Sequence, residues 1–336
     1  MRDIRELKYM QSLPLERKIE MTAQRIRGWY EYYNGNVAIS FSGGKDSTVL
    51  MHIARNHFLC DFDIKGVFVD TGLEYSEIRK FVKTFDNVEI IRPKMRFDEV
   101  IKTYGYPVIS KTVAHNVRCA RNEPNGKIVQ NCFCEEKTGP YAMAKWNDLR
   151  FVDFNIDDRC CDIMKKQPMH EYSKKNGVYF MTAEMACEST KRTDTWLHHG
   201  CNGFDMKYPK STPMAFWTEQ DVLKYIYDYQ LDICSVYGDV VCEPEQLDFE
   251  GNWITTYHTT GVDRSGCVFC GFGAHLEKDK KRFLHLKEVE PKKYDYCLNG
   301  GEFVNGLWQN NKQGLGMRYV FDELNKLYGD DFIRYE

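Results

Sequence analysis

The sequence has no long apolar run, no internal repeat and no low-complexity tract, and it is sparing with proline, at 10 in 336 residues. Without a stretch near the roughly twenty apolar residues that a helical bilayer crossing needs, no membrane span or membrane partner is expected. Charge of one sign is also lacking. The chain carries 46 basic and 49 acidic residues, a net charge of −3. That excludes a global pull toward nucleic acid or an anionic surface and leaves only local basic patches open. The opening MRDIRELKYMQSLPLERKIE is charged and has no signal-like apolar core, so a cytoplasmic location is expected.

Cysteine, by contrast, is plentiful, at 13 residues. In a reducing compartment disulfides are disfavoured, and closely spaced cysteines point to metal or redox chemistry. The close pairs are Cys132/Cys134, Cys160/Cys161 and Cys267/Cys270. The first pair receives no assignment. The isolated Cys60, Cys119, Cys187, Cys201, Cys234, Cys242 and Cys297 are expected to be small buried side chains.

The apolar runs NVAISF (36–41), DIKGVFVD (63–70), NVEIIRP (87–93) and GVYFMTAE (177–184) read as buried strands. Between and after them, DSTVLMHIARNHF, YSEIRKFVKTF and TEQDVLKYIYDYQL (218–231, capped by Thr218) have the period of amphipathic helices. Strands and helices alternating at this spacing predict an α/β fold on a doubly wound, mostly parallel sheet. Residues 15–33 read as a helical lead-in whose Tyr30, Tyr32 and Tyr33 pack on the body of the fold. Residues 110–158, rich in Asn, Gly, Lys and Cys, read as an irregular insertion, and 239–260, alternating polar and aromatic residues, as a hairpin. The expected organisation is a lead-in (1–35), a nucleotide-binding α/β domain (36–235) and a C-terminal region (236–336) carrying the Cys-x-x-Cys pair and terminal helices.

SFSGGKDS (40–47) lies between the first strand and the first of those helices. A strand, a glycine-rich loop and a helix start aim several backbone N–H groups and the positive helix end at one spot, which suits a phosphate. Lys45 adds a point charge, and Ser42 and Ser47 add hydroxyl donors. The glycines are adjacent and Asp46 follows the lysine, so this is not the G-x-x-x-x-G-K-[ST] loop of P-loop NTPases. A plain surface turn is the alternative.

SGGKDS resembles the PP-loop of the ATP pyrophosphatase superfamily, and FVDTGLEYSEI (68–78) resembles a segment of that superfamily's phosphoadenylyl sulfate reductase branch. The resemblance implies an adenine nucleotide alpha hydrolase-like fold. It also implies that Ser40, Ser42, Gly43, Gly44, Lys45, Asp46 and Ser47 grip the pyrophosphate of ATP, or the phosphosulfate of an adenylyl sulfate, with Lys45 and Asp46 catalytic. Asp70, Thr71 and Gly72, at a strand's carboxyl end, would contact the adenosine. Mg²⁺ would accompany the ATP.

DDRCCDIMKKQPMHEY (157–172) together with DRSGCVFCGFG (263–273) resembles the C-C…C-x-x-C arrangement of the iron-sulfur adenylyl sulfate reductases. It implies that Cys160, Cys161, Cys267 and Cys270 hold a [4Fe–4S] cluster. Ligand type alone also admits Zn²⁺, or no metal at all. In AEMACESTKRTDTW (183–196), Glu188, Ser189 and Arg192 match the family's G-x-R-x-x-E-S-x-x-R, while Ala183 and Met185 replace its first glycine and arginine. Arg192 would be a catalytic, bidentate partner of a phosphate or sulfate oxygen. An i,i+4 ion pair between Glu188 and Arg192 is the alternative.

The family's reductases carry a nucleophilic cysteine in an E-C-G-[IL]-H-like motif near the carboxyl end, and no such motif stands here, the last cysteine being Cys297. The expected function is therefore ATP-dependent, pyrophosphate-releasing sulfur transfer, similar to that of the PP-loop proteins of DNA phosphorothioation and tRNA thiolation. A nucleic acid or a small molecule would accept the sulfur, and a donor such as a cysteine desulfurase would supply it. Two alternatives stand beside it: an adenylyl sulfate reductase, and a non-catalytic nucleotide- or nucleic-acid-binding iron-sulfur subunit. Arg118, Arg121, Lys127, Lys165, Lys166, Lys191 and Arg192 are the candidate basic face for a nucleic acid.

Overall fold

The computed structural model describes residues 2–134, 142–247, 253–277 and 282–336. The chain forms two compact units. The first comprises Met1–Asp70, Glu74–Arg92 and Pro168–Ser265, and the second Thr71–Leu73, Pro93–Gln167 and Gly266–Glu336.

The first unit is built on a six-stranded sheet whose order is Val88–Ile91, Lys65–Val69, Val37–Ser40, Tyr179–Met181, Lys210–Ser211 and Asn202–Gly203. All neighbours pair in parallel except the last, which is antiparallel. This is the expected doubly wound α/β architecture. Val37, Ala38 and Ile39 are buried on both faces, as a central strand requires. The chain steps from Val37–Ser40 to Lys65–Val69 and Val88–Ile91 on one side, and returns on the other at Tyr179–Met181. The carboxyl end of Val37–Ser40 is thus the switch point of the sheet, where open α/β folds bind ligands.

The helix Lys45–Asn56 follows that strand and buries Val49, Leu50, Met51, Ile53 and Ala54. The lead-in helix Leu15–Tyr32 buries Ile19, Ala23, Ile26 and Trp29. Tyr30 stacks on Phe62 and Tyr33 on Tyr179, as expected, whereas Tyr32 is largely exposed and only edges onto Phe204 and Tyr33. Lys18 lies inside this unit, 2% exposed, donating to both carboxylate oxygens of Asp221 at 2.9 and 2.7 Å and to the Gln11 carbonyl at 2.6 Å. Asp221 in turn accepts from the Thr218 backbone and hydroxyl, closing the capping box of helix Glu219–Tyr229. The hairpin expected at 239–260 is Val240–Leu247 paired with Trp253–Thr259, its connection 248–252 lying outside the described residues. Gln220 pins it by accepting from the Tyr257 N–H and donating to the Tyr257 carbonyl.

The second unit corrects one expectation. Residues 110–158 are not an irregular insertion throughout. Lys111–Asn122 is a helix capped by Ser110, with Val113, Ala114, Val117 and Ala120 buried at helical spacing, a period that the polar composition masks. Its segment 135–141 lies outside the described residues. Residues 93–167 share a core with the C-terminal third: Tyr106 donates to the Leu315 carbonyl at 2.8 Å, Tyr319 donates to Asp153 at 2.6 Å, and Val108–Ile109 pairs in parallel with Gly271–Phe272. Hence the boundaries expected at 35/36 and 235/236 both fall within the first unit, and the chain enters the second for its last stretch at Gly266. No helix among the described residues is long and apolar enough to cross a membrane.

Removing one partner of a buried pair strands the other charge. Lys18→Met is expected to lower stability to urea by about 3 kcal/mol. An unchanged unfolding midpoint would show that the Lys18–Asp221 pair does not hold the lead-in helix.

Candidate functional site

Two groups of residues stand out, one in each unit. In the first unit the loop 41–44 turns on Gly43, at φ 70°, where an added Cβ would stand 2.7 Å from Val82 Cγ2. Only glycine fits that conformation and that space. The loop ties itself together: the Ser42 N–H donates to Ser47 Oγ at 3.2 Å, the Gly44 N–H to Ser42 Oγ at 3.2 Å, and the Ser47 hydroxyl to the Gly44 carbonyl at 2.9 Å. Gly44 then caps the helix that begins at Lys45.

Lys45 does not point into solvent. It is 4% exposed, and its ammonium donates to the Asp263 carbonyl at 2.6 Å and pairs with Glu219 at 3.1 Å. Its backbone N–H donates to the Tyr237 hydroxyl at 3.4 Å, which donates onward to Ser265. Asp46 is half-buried, and its Oδ1 is buried with no hydrogen-bond partner. Burial pushes its carboxyl above the usual 3.8, against the pull of Lys45, Arg264 and Arg192, with Glu219 adding to the rise. A buried carboxylate oxygen without a hydrogen-bond partner, in the field of three cations, is the arrangement of an incomplete polar site rather than of a finished core.

The sequence-expected partners divide between two roles. Glu188 and Arg192 form the local ion pair, and Ser189 caps helix Thr190–His199 by accepting from the Arg192 N–H at 3.3 Å. Arg192 nonetheless also acts on Asp46. Asp70 is buried and accepts from Arg79 at 2.8 Å, with Arg92 at 3.5 Å. Ser40 is half-buried at the end of its strand. Arg264, Glu219, Tyr237, Asp263 and Ser265 were not foreseen. They come from segments distant in sequence, and only DRSG, directly ahead of the Cys-x-x-Cys pair, offered a signal for Arg264.

In the second unit Thr71 Oγ1 accepts from the Leu73 N–H at 3.2 Å, Gly72 takes φ 76°, and the Leu73 carbonyl accepts from the Val268 N–H at 2.8 Å. Thus this turn is tied to the loop between Cys267 and Cys270. Leu73, Phe97, Pro107 and Met164 wall a pocket into which Cys160, Cys161, Cys267 and Cys270 all open. The four cysteines that the resemblance implied are therefore brought together. The Cys160 and Cys161 sulfurs lie 4.0 Å apart. A hydrogen bond from Cys160 holds the Cys161 thiol down at about 5, helped by Lys111 and Lys165 and opposed by burial; that same bond and burial push Cys160 up. Burial and the Cys267 charge push Cys270 up to about 11. Arg282 donates to the Cys270 and Phe272 carbonyls at 2.5 and 3.2 Å, fixing the loop. A π-helical turn, Asp162–Lys166, follows Cys161 directly. Such turns recur at functional sites. Among the described residues no group of three or more His, Cys, Asp or Glu is gathered as the ligands of one metal ion.

The remaining cysteines only partly match expectation. Cys60, Cys201, Cys234 and Cys297 are buried, but Cys187 is exposed and Cys119 and Cys242 are half-exposed. Cys119 sits on the open face of its helix and Cys187 in a short exposed turn, which isolated spacing does not reveal. The basic face also differs. Arg121 turns inward onto the carbonyls of Leu149, Val152 and Phe154, Arg118 pairs with Asp157 and Asp158, and Lys166 pairs with Asp162. Lys127 and Lys191 are exposed. Cations already paired or buried in this way offer little to a phosphate backbone.

An acid whose folded-state value is raised loses stability as pH rises from its unfolded value through the folded one. Asp46→Asn is therefore expected to be more stable than the wild type at neutral pH, with the difference closing as pH falls toward 3.8. Thermal unfolding across that range measures it, and an Asn variant less stable at neutral pH would show that the carboxylate is stabilised where it lies.

Comparison with known proteins bears on both groups. Residues 36–122 and 127–270 match the profile of the phosphoadenosine phosphosulfate reductase domain. An uncharacterized protein of Methanocaldococcus jannaschii is 24% identical over 301 residues, covering 84% of this chain and 54% of that protein. Adenosine 5′-phosphosulfate reductase of Staphylococcus epidermidis is 25% identical, covering 62% of this chain and 68% of that protein. Sulfate adenylyltransferase subunit 2 of Serratia proteamaculans is 24% identical, covering 60% of each. The chain spans about half the length of the archaeal relative. With the profile matching most of the chain across both the glycine loop and the four cysteines, the protein belongs to the phosphoadenosine phosphosulfate reductase domain family.

Proposed function

We propose that the protein is an adenylyl-nucleotide enzyme of sulfur chemistry: it activates an acceptor oxygen with ATP and replaces it with sulfur, using a [4Fe–4S] cluster held by Cys160, Cys161, Cys267 and Cys270. The observation that carries this reading is the convergence of those four thiols, from two distant segments, on one apolar pocket. Four cysteines and no other ligand type suit an iron-sulfur cluster, in which each thiolate binds a different iron, so no three need share one ion. When bound, such a cluster supplies electron transfer or a soft site for sulfur.

The loop 42–47 and the helix start would hold the phosphates, through backbone N–H groups and the Ser42 and Ser47 hydroxyls. Arg192 and Arg264 would neutralise phosphate oxygens beside Asp46, whose orphaned oxygen is suited to Mg²⁺. Lys45 must first leave Glu219 to reach a phosphate. Asp70, at the end of the neighbouring strand of the same unit, would meet the adenosine. In the activation step the acceptor oxygen attacks the α-phosphorus and pyrophosphate leaves. In the transfer step sulfide, released from the persulfide of a donor such as a cysteine desulfurase by two-electron reduction with thiols that leave as a disulfide, bonds to the acceptor carbon or phosphorus, and AMP departs with the oxygen. The acceptor is a nucleic acid or a small molecule.

The second reading, reduction of an adenylyl sulfate to sulfite, draws on the staphylococcal relative. Against it, Cys297 is wholly buried, with its thiol pushed far up by that burial and its sulfur 3.5 Å from Met317 Sδ. A nucleophile needs an accessible thiolate.

Anaerobic preparations are expected to contain about four irons and four acid-labile sulfides per chain, and Cys161→Ser to lose most of both. Zinc without sulfide would overturn the cluster. ATP with the acceptor should release pyrophosphate, at least ~100-fold less in Asp46→Asn, as befits loss of a transition-state charge contact. Sulfite released from adenylyl sulfate, with no pyrophosphate from ATP, would establish the second reading instead.

A further inference from the structure

The donors that the glycine loop would offer an anion are engaged by the chain itself. The Lys45 N–H, first of its helix and one of the groups a helix leaves without an internal partner, donates to the Tyr237 hydroxyl at 3.4 Å. The Lys45 ammonium donates to the Asp263 carbonyl at 2.6 Å and lies 5.6 Å from the centre of the Tyr237 ring. Tyr237 is 2% exposed, and its hydroxyl donates to Ser265. A Cβ added to Gly44 would stand 3.1 Å from the Tyr237 oxygen and 3.3 Å from Ser265 Oγ, so both hydroxyls lie flush against the loop backbone.

Tyr237, Asp263 and Ser265 belong to one body. The Gly261 N–H donates to the Tyr237 carbonyl at 2.8 Å, the Val262 N–H to the Val236 carbonyl at 3.1 Å, and the Thr260 N–H to the Asp239 carbonyl at 3.0 Å. The turn Ser235–Tyr237 and the segment 260–265 are thereby zipped together at the base of the hairpin Val240–Leu247/Trp253–Thr259. Glu219, the other partner of Lys45, comes from a separate helix and is 47% exposed, so its pull on the ammonium is screened.

We propose that the base of this hairpin is an autoinhibitory stopper of the glycine loop: Tyr237 and Asp263 take the two Lys45 donors that a phosphate requires, and a nucleotide binds by displacing them. The inference rests on the nucleotide reading above. A neutral hydroxyl and a carbonyl are weaker acceptors than a phosphate oxygen, whose bonds to N–H and ammonium are charge-assisted, so the stopper holds the loop shut yet yields to the ligand. Its cost is a lower apparent affinity, since only the open fraction binds.

The test joins titration calorimetry of the full chain, with ATP and Mg²⁺ or with inorganic pyrophosphate, to hydroxyl-radical footprinting read by mass spectrometry. Tyr237→Phe removes the hydroxyl and keeps the ring. It is expected to bind both probes about fivefold tighter than wild type, the worth of one internal hydrogen bond lost from the closed state. Ser265→Ala, which removes the acceptor of Tyr237, should shift affinity the same way by less. In wild-type protein, oxidation of Tyr237 is expected to rise when pyrophosphate is added, while Trp217, fully buried in the same unit, stays protected. That arm needs no variant. Equal or weaker binding by a folded Tyr237→Phe overturns the proposal. So does a Tyr237 that stays protected with pyrophosphate bound, the result expected of a hydroxyl that ligates phosphate. Wild type and Tyr237→Phe that both bind neither probe remove the nucleotide reading itself, a failure distinct from unchanged affinity in the variant.

Discussion

A lysine buried to 4% exposure cannot be left unpaired, and the pairing of Lys45 organises the binding end of the first unit. Its ammonium needs the Asp263 carbonyl and Glu219, and its backbone N–H meets Tyr237, which reaches Ser265. These partners come from a helix start, a short turn and the segment just before the Cys-x-x-Cys pair. Satisfying one ammonium therefore fixes where three distant stretches stand. Glu219 is held in turn by the helix cap in which Asp221 bonds Thr218, and Asp221 is the partner of buried Lys18. The lead-in helix and the glycine loop are linked through one first turn of helix.

The loop lies at the switch point of the sheet, and its geometry is already closed by its own hydroxyls. Such preorganisation lowers the ordering cost of binding an anion. What is left unsatisfied is Asp46, one of whose carboxylate oxygens is buried without a hydrogen-bond partner although three cations act on it. A site that keeps a destabilised acid beside three positive groups trades stability for function, a pattern common where ligands or metal complete the charge balance.

In the second unit the organising demand is different. Four thiols in an apolar pocket repel one another once ionised, so their burial raises two of them, while the hydrogen bond from Cys160 and the charges of Lys111 and Lys165 lower Cys161. A bound cationic centre would reverse that balance by accepting all four as thiolates. The unusual backbone gathers around this pocket: a π-helical turn after Cys161 and a left-handed isoleucine ahead of Lys111.

Much of this was legible in the sequence, for reasons that are local. Strand and helix periods, the Thr218 cap, the glycine loop and the paired cysteines depend on neighbours within a few residues, so NVAISF, SGGKDS and C-x-x-C carry their meaning in place. The helix 111–122 was missed because polar and cysteine-rich composition covered its buried Val113, Ala114, Val117 and Ala120. Long-range pairing was beyond local reading altogether. Nothing near Arg121 says that it will turn inward onto three carbonyls, and nothing near Arg264 that its charge will act on Asp46. The sequence by itself determined the element types, the glycine-rich turn between strand and helix, and the close cysteine pairs. Only the tertiary structure decided which charges face them, because those contacts are set by burial and chain return, to which no local period corresponds.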